Sequence, residues 1–234
     1  MATVGATGWS ALGRVSLAIA AKDFLSERRT KDVFNAMLVF GFMVAVIFSF
    51  AFEPTSEEAQ RIAGGLVWLV FIFAGILGLN RSFTRETLNE CLQGLRLAPV
   101  GPGAIYLGKL LSNFVFMFVA ELILLPFFGM FFDVHFWREP AWMIAILVLG
   151  TWGFTALGTI FSAVSANTRM RELMLPLLLL PLSVPLLIAA VQATTTVLRG
   201  LPMSDASLWI KLLLGFDVIF TTLAWLVFEP VLEQ

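Results

Sequence analysis

Cysteine, histidine and tyrosine occur once each in this 234-residue sequence, and charged residues make up only 13% of it. The single cysteine, Cys91, excludes an internal disulfide framework and any multi-cysteine metal site. The single histidine, His135, excludes a paired-histidine zinc motif, and there is no CxxCH for covalent haem attachment. A net charge of −1 offers no basic surface to nucleic acid. The N-terminus lacks a basic stretch followed by an apolar core and a cleavage site, so no removed signal peptide is expected. Internal repeats, low-complexity stretches and domain linkers are likewise missing.

Apolar residues fill the chain instead. They reach 59%, with 23 phenylalanines and a mean hydropathy of +0.91, whereas soluble domains hold about 45–50% apolar and about 25% charged residues. A soluble fold of this size could not cover that much apolar surface, so the solvent must be lipid. Six apolar runs cover about 33–52, 62–80, 104–132, 141–165, 173–193 and 207–228. Each is long enough for a span of about 20 residues. The fold class read from this is an all-α membrane protein with six transmembrane helices. The long third run is expected to tilt, kink or protrude. The fifth carries Pro176, Pro181 and Pro185, and a kinked or broken helix is expected there.

Before the first span, Leu12, Val15 and Ile19 recur at helical spacing among Arg14, Lys22, Arg28, Arg29 and Lys31. Residues 1–32 therefore read as an amphipathic helix on the membrane surface, its apolar side dipped into lipid; the alternative is a solvated tail with a short helix. Residues 33–234 form the membrane domain. Eleven Lys and Arg fall in or beside the N-terminal segment and the second and fourth connections, against Arg61, Arg138, Arg199 and Lys211 on the other side. The positive-inside rule then places both termini in the cytoplasm. Trp68, Trp137, Trp142, Trp209 and Trp225 lie mostly near run ends, as interface anchors should.

Three features could carry chemistry. In the loop after the second span, Leu88, Cys91, Leu92 and Leu95 share one helix face, with Arg85, Glu86, Asn89, Gln93 and Arg96 around the others. Such a helix either inserts its apolar face into a groove on a cytoplasmic partner or rests on headgroups. Glu121 and Asp217 lie within spans, where ionisable residues either line a transport path or lock helices together. Small residues Gly150, Thr151, Gly153, Thr155, Gly158 and Ser162 mark a packing face on the fourth span. Residues 103–109 fit GxxxxGK, but Leu110 follows where Ser or Thr is needed and no strand precedes, so ATP binding here is rejected. His135, alone in an outer loop beside Trp137, reads as an interfacial residue more readily than as a haem ligand.

Several stretches then fall into a known order: Ala21-Lys22-Asp23, Phe48-Ser49-Phe50-Ala51-Phe52, Gly65-Leu66-Val67-Trp68, Arg81-Ser82-Phe83-Thr84-Arg85-Glu86, Leu95-Arg96-Leu97-Ala98-Pro99, Gly108-Lys109, Glu121-Leu122-Ile123-Leu124-Leu125-Pro126 and Phe228-Glu229-Pro230-Val231-Leu232-Glu233. In order and spacing they resemble the haem exporter permease subunit of cytochrome c maturation, the CcmB family. The resemblance implies a permease of the ABC-2 type in the bacterial inner membrane, in which two copies pair with two copies of a separate ATPase subunit. The chain itself would be no enzyme and would bind no cofactor directly; ATP would sit on the partner. The helix at 84–97 would be the coupling helix docking on that ATPase through Arg85, Glu86, Leu88, Cys91, Leu92 and Leu95. A haem-handling C subunit, a small single-span D subunit and a periplasmic haem chaperone are the further partners implied. The cargo would be haem, or the ATP-driven step would release the haem-loaded chaperone. The tryptophan-rich haem motif of the C subunit is absent, so this chain need not hold haem itself. Alternatives are an ABC-2 permease for lipid, polysaccharide or drug, a secondary transporter or channel using Glu121 and Asp217, and an assembly scaffold.

Overall fold

The computed structural model describes residues 9–52, 57–82, 101–166, 168 and 170–232. They form seven helices: α1 (Trp9–Thr30), α2 (Asp32–Ala51), α3 (Glu57–Ser82), α4 (Pro102–Phe132), α5 (Pro140–Ala166), α6 (Arg171–Arg199) and α7 (Met203–Leu232). Among the described residues, six of them, α2 to α7, are long and apolar enough to cross a membrane. No strand occurs among the described residues, and the all-helical membrane class follows.

Helix α1 is the exception in composition and in placement. Of its stripe of Leu12, Val15 and Ile19, Ile19 is buried and Val15 packs with it against α4 and its neighbours. Leu17, Phe24 and Leu25 are large apolar side chains that it leaves exposed. The turn into α2 runs through Lys31 in the left-handed region, φ 56°. Glu27 makes that turn possible. Its Oε1 accepts from the amides of Val33 at 2.8 Å and Phe34 at 3.0 Å, satisfying donors that the start of a helix leaves open.

Helix α5 is the central post, with α3, α4, α6 and α7 all packed against it. Its glycines explain how so many helices reach it. A Cβ on Gly150 would run into the Trp68 ring, one on Gly153 into Asp217, and one on Gly158 into Leu79. Trp68 is thus a core residue, 1% exposed, and no interface anchor; Trp137, Trp142 and Trp225 do remain exposed. Helix α6 runs unbroken through Pro176, Pro181 and Pro185. Bundle neighbours let a membrane helix keep its course where the same prolines would end a soluble one.

The core falls into two parts. The larger runs along α2 to α7 through Trp68, Phe71, Phe128, Leu186 and Leu213. A smaller one surrounds the start of α4 with Ile19, Tyr106, Ile160 and Phe228. We call this second location the near end, where α1 and the ends of α3, α5 and α7 meet the start of α4. The far end holds the α4–α5 and α6–α7 connections. At about 1.5 Å per residue, the 31 residues of α4 extend about 46 Å, enough for its first turns to serve as the seat of α1.

Candidate functional site

A buried cation stands at the near end, Lys109. It lies two turns into α4 and is 1% exposed. A buried ammonium costs several kcal/mol unless it is paired and hydrogen-bonded. Both conditions are met: Nζ is 2.9 Å from Asp23 Oδ2 on α1 and donates to the Ser82 carbonyl at 2.9 Å. Ser112 donates to the same Asp23 oxygen at 3.2 Å. One turn before, Ser16 of α1 donates to the Ala104 carbonyl at 3.0 Å. Gly108 permits this approach, since a Cβ there would lie 2.8 Å from the Ser16 carbonyl oxygen and from Ile19. The GxxxxGK stretch is therefore helix interior packed on α1.

Arg85, Glu86, Leu88, Cys91, Leu92 and Leu95 lie outside the described residues. Both flanks of that segment are described, and Lys109 holds one of them. Ser82 is the last residue of α3, so the Lys109 ammonium joins the entry to the loop, the helix that follows the loop, and α1.

Glu121 and Asp217 are both buried in the bundle. Thr151 donates to Glu121 Oε2 at 2.5 Å, tying α4 to α5. Among the described residues, Glu121 Oε1 and Asp217 Oδ1 have no hydrogen-bond partner. The structure does not bring the two acids into one site. Glu121 meets α5 at Thr151 and Asp217 meets it at Gly153, and two residues of helix turn by roughly 200°. The acids therefore flank α5 from opposite sides at nearly one depth. All six small residues of the α5 packing face are buried. Other hydrogen bonds also cross between helices: Trp68 to Thr194 at 2.9 Å, Asn113 to Thr159 at 3.0 Å, Tyr106 to the Ala156 carbonyl at 3.1 Å and Ser162 to the Leu79 carbonyl at 2.6 Å.

His135 is exposed and lines a cleft at the far end. Among the described residues no group of three or more His, Cys, Asp and Glu is placed to hold a metal. The residues that sequence reasoning passed over are Asp23, Ser112 and Lys109 as a unit. Lys109 counts as a loop cation in a charge tally, yet it stands seven residues inside an apolar helix. That position was the available signal, because a lysine there requires an acid from another element.

Residues 14–233 match the protein family described as CcmB protein. The chain is 29% identical to the heme exporter protein B of Pseudomonas aeruginosa over 209 residues, covering 89% of this chain and 93% of that protein. It is 30% identical to the protein of that name from Rhodobacter capsulatus, over 79% of this chain and 84% of that one. The Paracoccus denitrificans protein of the same name is also 30% identical, over 80% and 84% of the two chains.

Proposed function

The chain belongs to the CcmB family, and from that premise we propose how it works as the haem export permease subunit of cytochrome c biogenesis. It is a multi-pass membrane protein, with six helices among the described residues long and apolar enough to cross a membrane. In this reading a separate cytoplasmic ATPase hydrolyses ATP and docks on the loop at 83–100. The near end is cytoplasmic, both termini lie there, and the membrane is the bacterial inner membrane. Two copies pair with two ATPase subunits, and the haem-handling C subunit, the small D subunit and the periplasmic chaperone complete the assembly.

The observation that carries the mechanism is the Lys109 node. A loop that moves with an ATPase needs a stiff connection to the spans. Ser82, Lys109 and Asp23 supply one, since each contact is direct and the ammonium is enclosed. Motion of the loop then reaches α1 and α4 together. Glu121 and Asp217 act as helix-locking groups on either side of α5. Their separation by that helix speaks against one shared ion path.

The test is a haem stain of membrane proteins from a deletion strain complemented with variants. Wild type restores covalently haem-linked cytochromes. Leu88→Glu/Leu92→Glu accumulates normally but restores none, and the ATPase no longer co-purifies. Glu121→Gln, which keeps an oxygen for Thr151, restores them. Full cytochrome content with the loop variant and retained ATPase would sink the docking assignment. Loss with Glu121→Gln at normal protein level would reinstate a transport path.

A further inference from the structure

Helix α1 has an inward and an outward side. The inward side carries Ser16, Ile19 and Asp23, which meet α4 at Ala104, Gly108 and Ser112. On the outward side Leu17, Ala21, Phe24 and Arg28 fall at i, i+4, i+7 and i+11, one line along a helix. All four are exposed, and so are Leu25 and Arg29 beside them. Leu17, Phe24 and Leu25 leave 63%, 49% and 58% of their surface open.

Phe24 shows what this line adjoins. Its ring stacks on Phe116 of α4, with centroids 5.9 Å apart and planes 4° apart. Phe116 lies past Lys109 toward the far end, about 10 Å further along the helix. Val115 and Val119 beside it are each 39% exposed. On a helix long and apolar enough to cross a membrane, open valines face hydrocarbon. The outward line of α1 therefore continues a lipid-facing strip of α4. A water-soluble partner could reach the arginines, but not the Phe24 end of the line, which is level with that strip.

Charge completes the match. The last turn of α1 carries Arg28 and Arg29, and no acid interrupts the line before them. An apolar line that ends in exposed guanidinium groups suits a boundary between acyl chains and acidic headgroups. Arginine lays its stem on apolar surface while its fork engages phosphate.

We propose that the outward side of α1 binds anionic phospholipid of the near-end leaflet. Leu17, Phe24 and Leu25 enter the acyl boundary, and Arg28 and Arg29 hold headgroup phosphates. Asp23 on the same helix pairs with Lys109, so the leaflet and α4 grip α1 from opposite sides.

Two measurements on the full chain test this. In the first, p-benzoylphenylalanine replaces Leu25 and the cell membranes are irradiated. The expected adduct has the mass of a phospholipid. An adduct with a protein, or none with lipid, overturns the proposal. In the second, the chain is extracted in mild detergent from vesicles of equal phosphatidylglycerol and phosphatidylcholine. Retained lipid is read by native mass spectrometry. Wild type should retain phosphatidylglycerol preferentially. Arg28→Gln/Arg29→Gln should lower that preference at least about five-fold. Arg28→Lys/Arg29→Lys, which keeps both charges, and Lys211→Gln, toward the far end, should preserve it. No preference in wild type, or an unchanged preference in the glutamine variant, also overturns the proposal. Should the glutamine variant melt early, Arg29→Gln alone must show a partial loss, or the proposal falls. Cytochrome complementation reports on the transport role separately, because lipid retention requires neither ATPase nor haem.

Discussion

The two ends of the bundle treat positive charge in opposite ways. At the near end the Lys109 ammonium is enclosed, paired with Asp23 and bonded to Ser82. At the far end Arg61, Arg138 and Arg199 stay exposed around an open cleft. A cation satisfied from within the chain fixes structure. Cations at an exposed rim are screened by solvent, and each adds little to the fold.

The largest effect should come from breaking the near end. Lys109→Met leaves Asp23 without its buried counter-ion, and we expect a loss of about 3 kcal/mol. That is the lower end of the range for broken buried pairs, because the Asp23 side chain keeps 15% exposure. Thermal unfolding in detergent measures it, and adding Asp23→Asn should return more than half. A loss as small as that of a surface pair would dissolve the contrast between the ends. Next comes Gly108→Val. Its side chain would enter the space of Ile19 and the Ser16 carbonyl, at a cost of about 1–3 kcal/mol. Limited proteolysis should then cut α1 away from α4 sooner than in wild type. A smaller effect follows from Trp68→Phe in the main core, which deletes the bond to Thr194; polar contacts between membrane helices are worth about 0.6–1.7 kcal/mol. The smallest change in stability, within about 0.5 kcal/mol, is expected for the three far-end arginines changed to glutamine. Thermal unfolding of that triple variant beside Lys109→Met sharpens the comparison from the other side.

Much of this architecture was legible in the sequence, because membrane spans announce themselves by length. All six apolar runs became helices, and the small residues of α5 became its packing face. The misreadings share a cause. Trp68 resembles an interface anchor by its place in a run, and only the opposing Gly150 makes it a core residue. Three prolines in α6 suggest a kink or a break, and the helix continues unbroken, as prolines in membrane helices can be tolerated. The apolar stripe of α1 suits lipid and protein equally, and at Ile19 it is Gly108 that admits it against α4. In each case the deciding partner is on another helix, which periodicity along one segment cannot identify. Glu121 and Asp217 were legible as residues that matter. That α5 separates them was not, since it depends on which faces of three helices meet.

The seat of α1 on α4 also has a consequence for biosynthesis. Ser112 and its acceptor Asp23 are 89 residues apart, and the helix bearing Asp23 leaves the ribosome first. At about 5–20 residues per second, α1 waits roughly 5–20 s before its counterpart is made. Two complete spans are inserted during that interval. The buried ion pair can therefore close only on a nascent chain whose third span has already arrived, which makes it a checkpoint on insertion order. A chain stalled or truncated before that point would display Asp23 and the underside of α1 to whatever quality-control protease patrols the membrane surface.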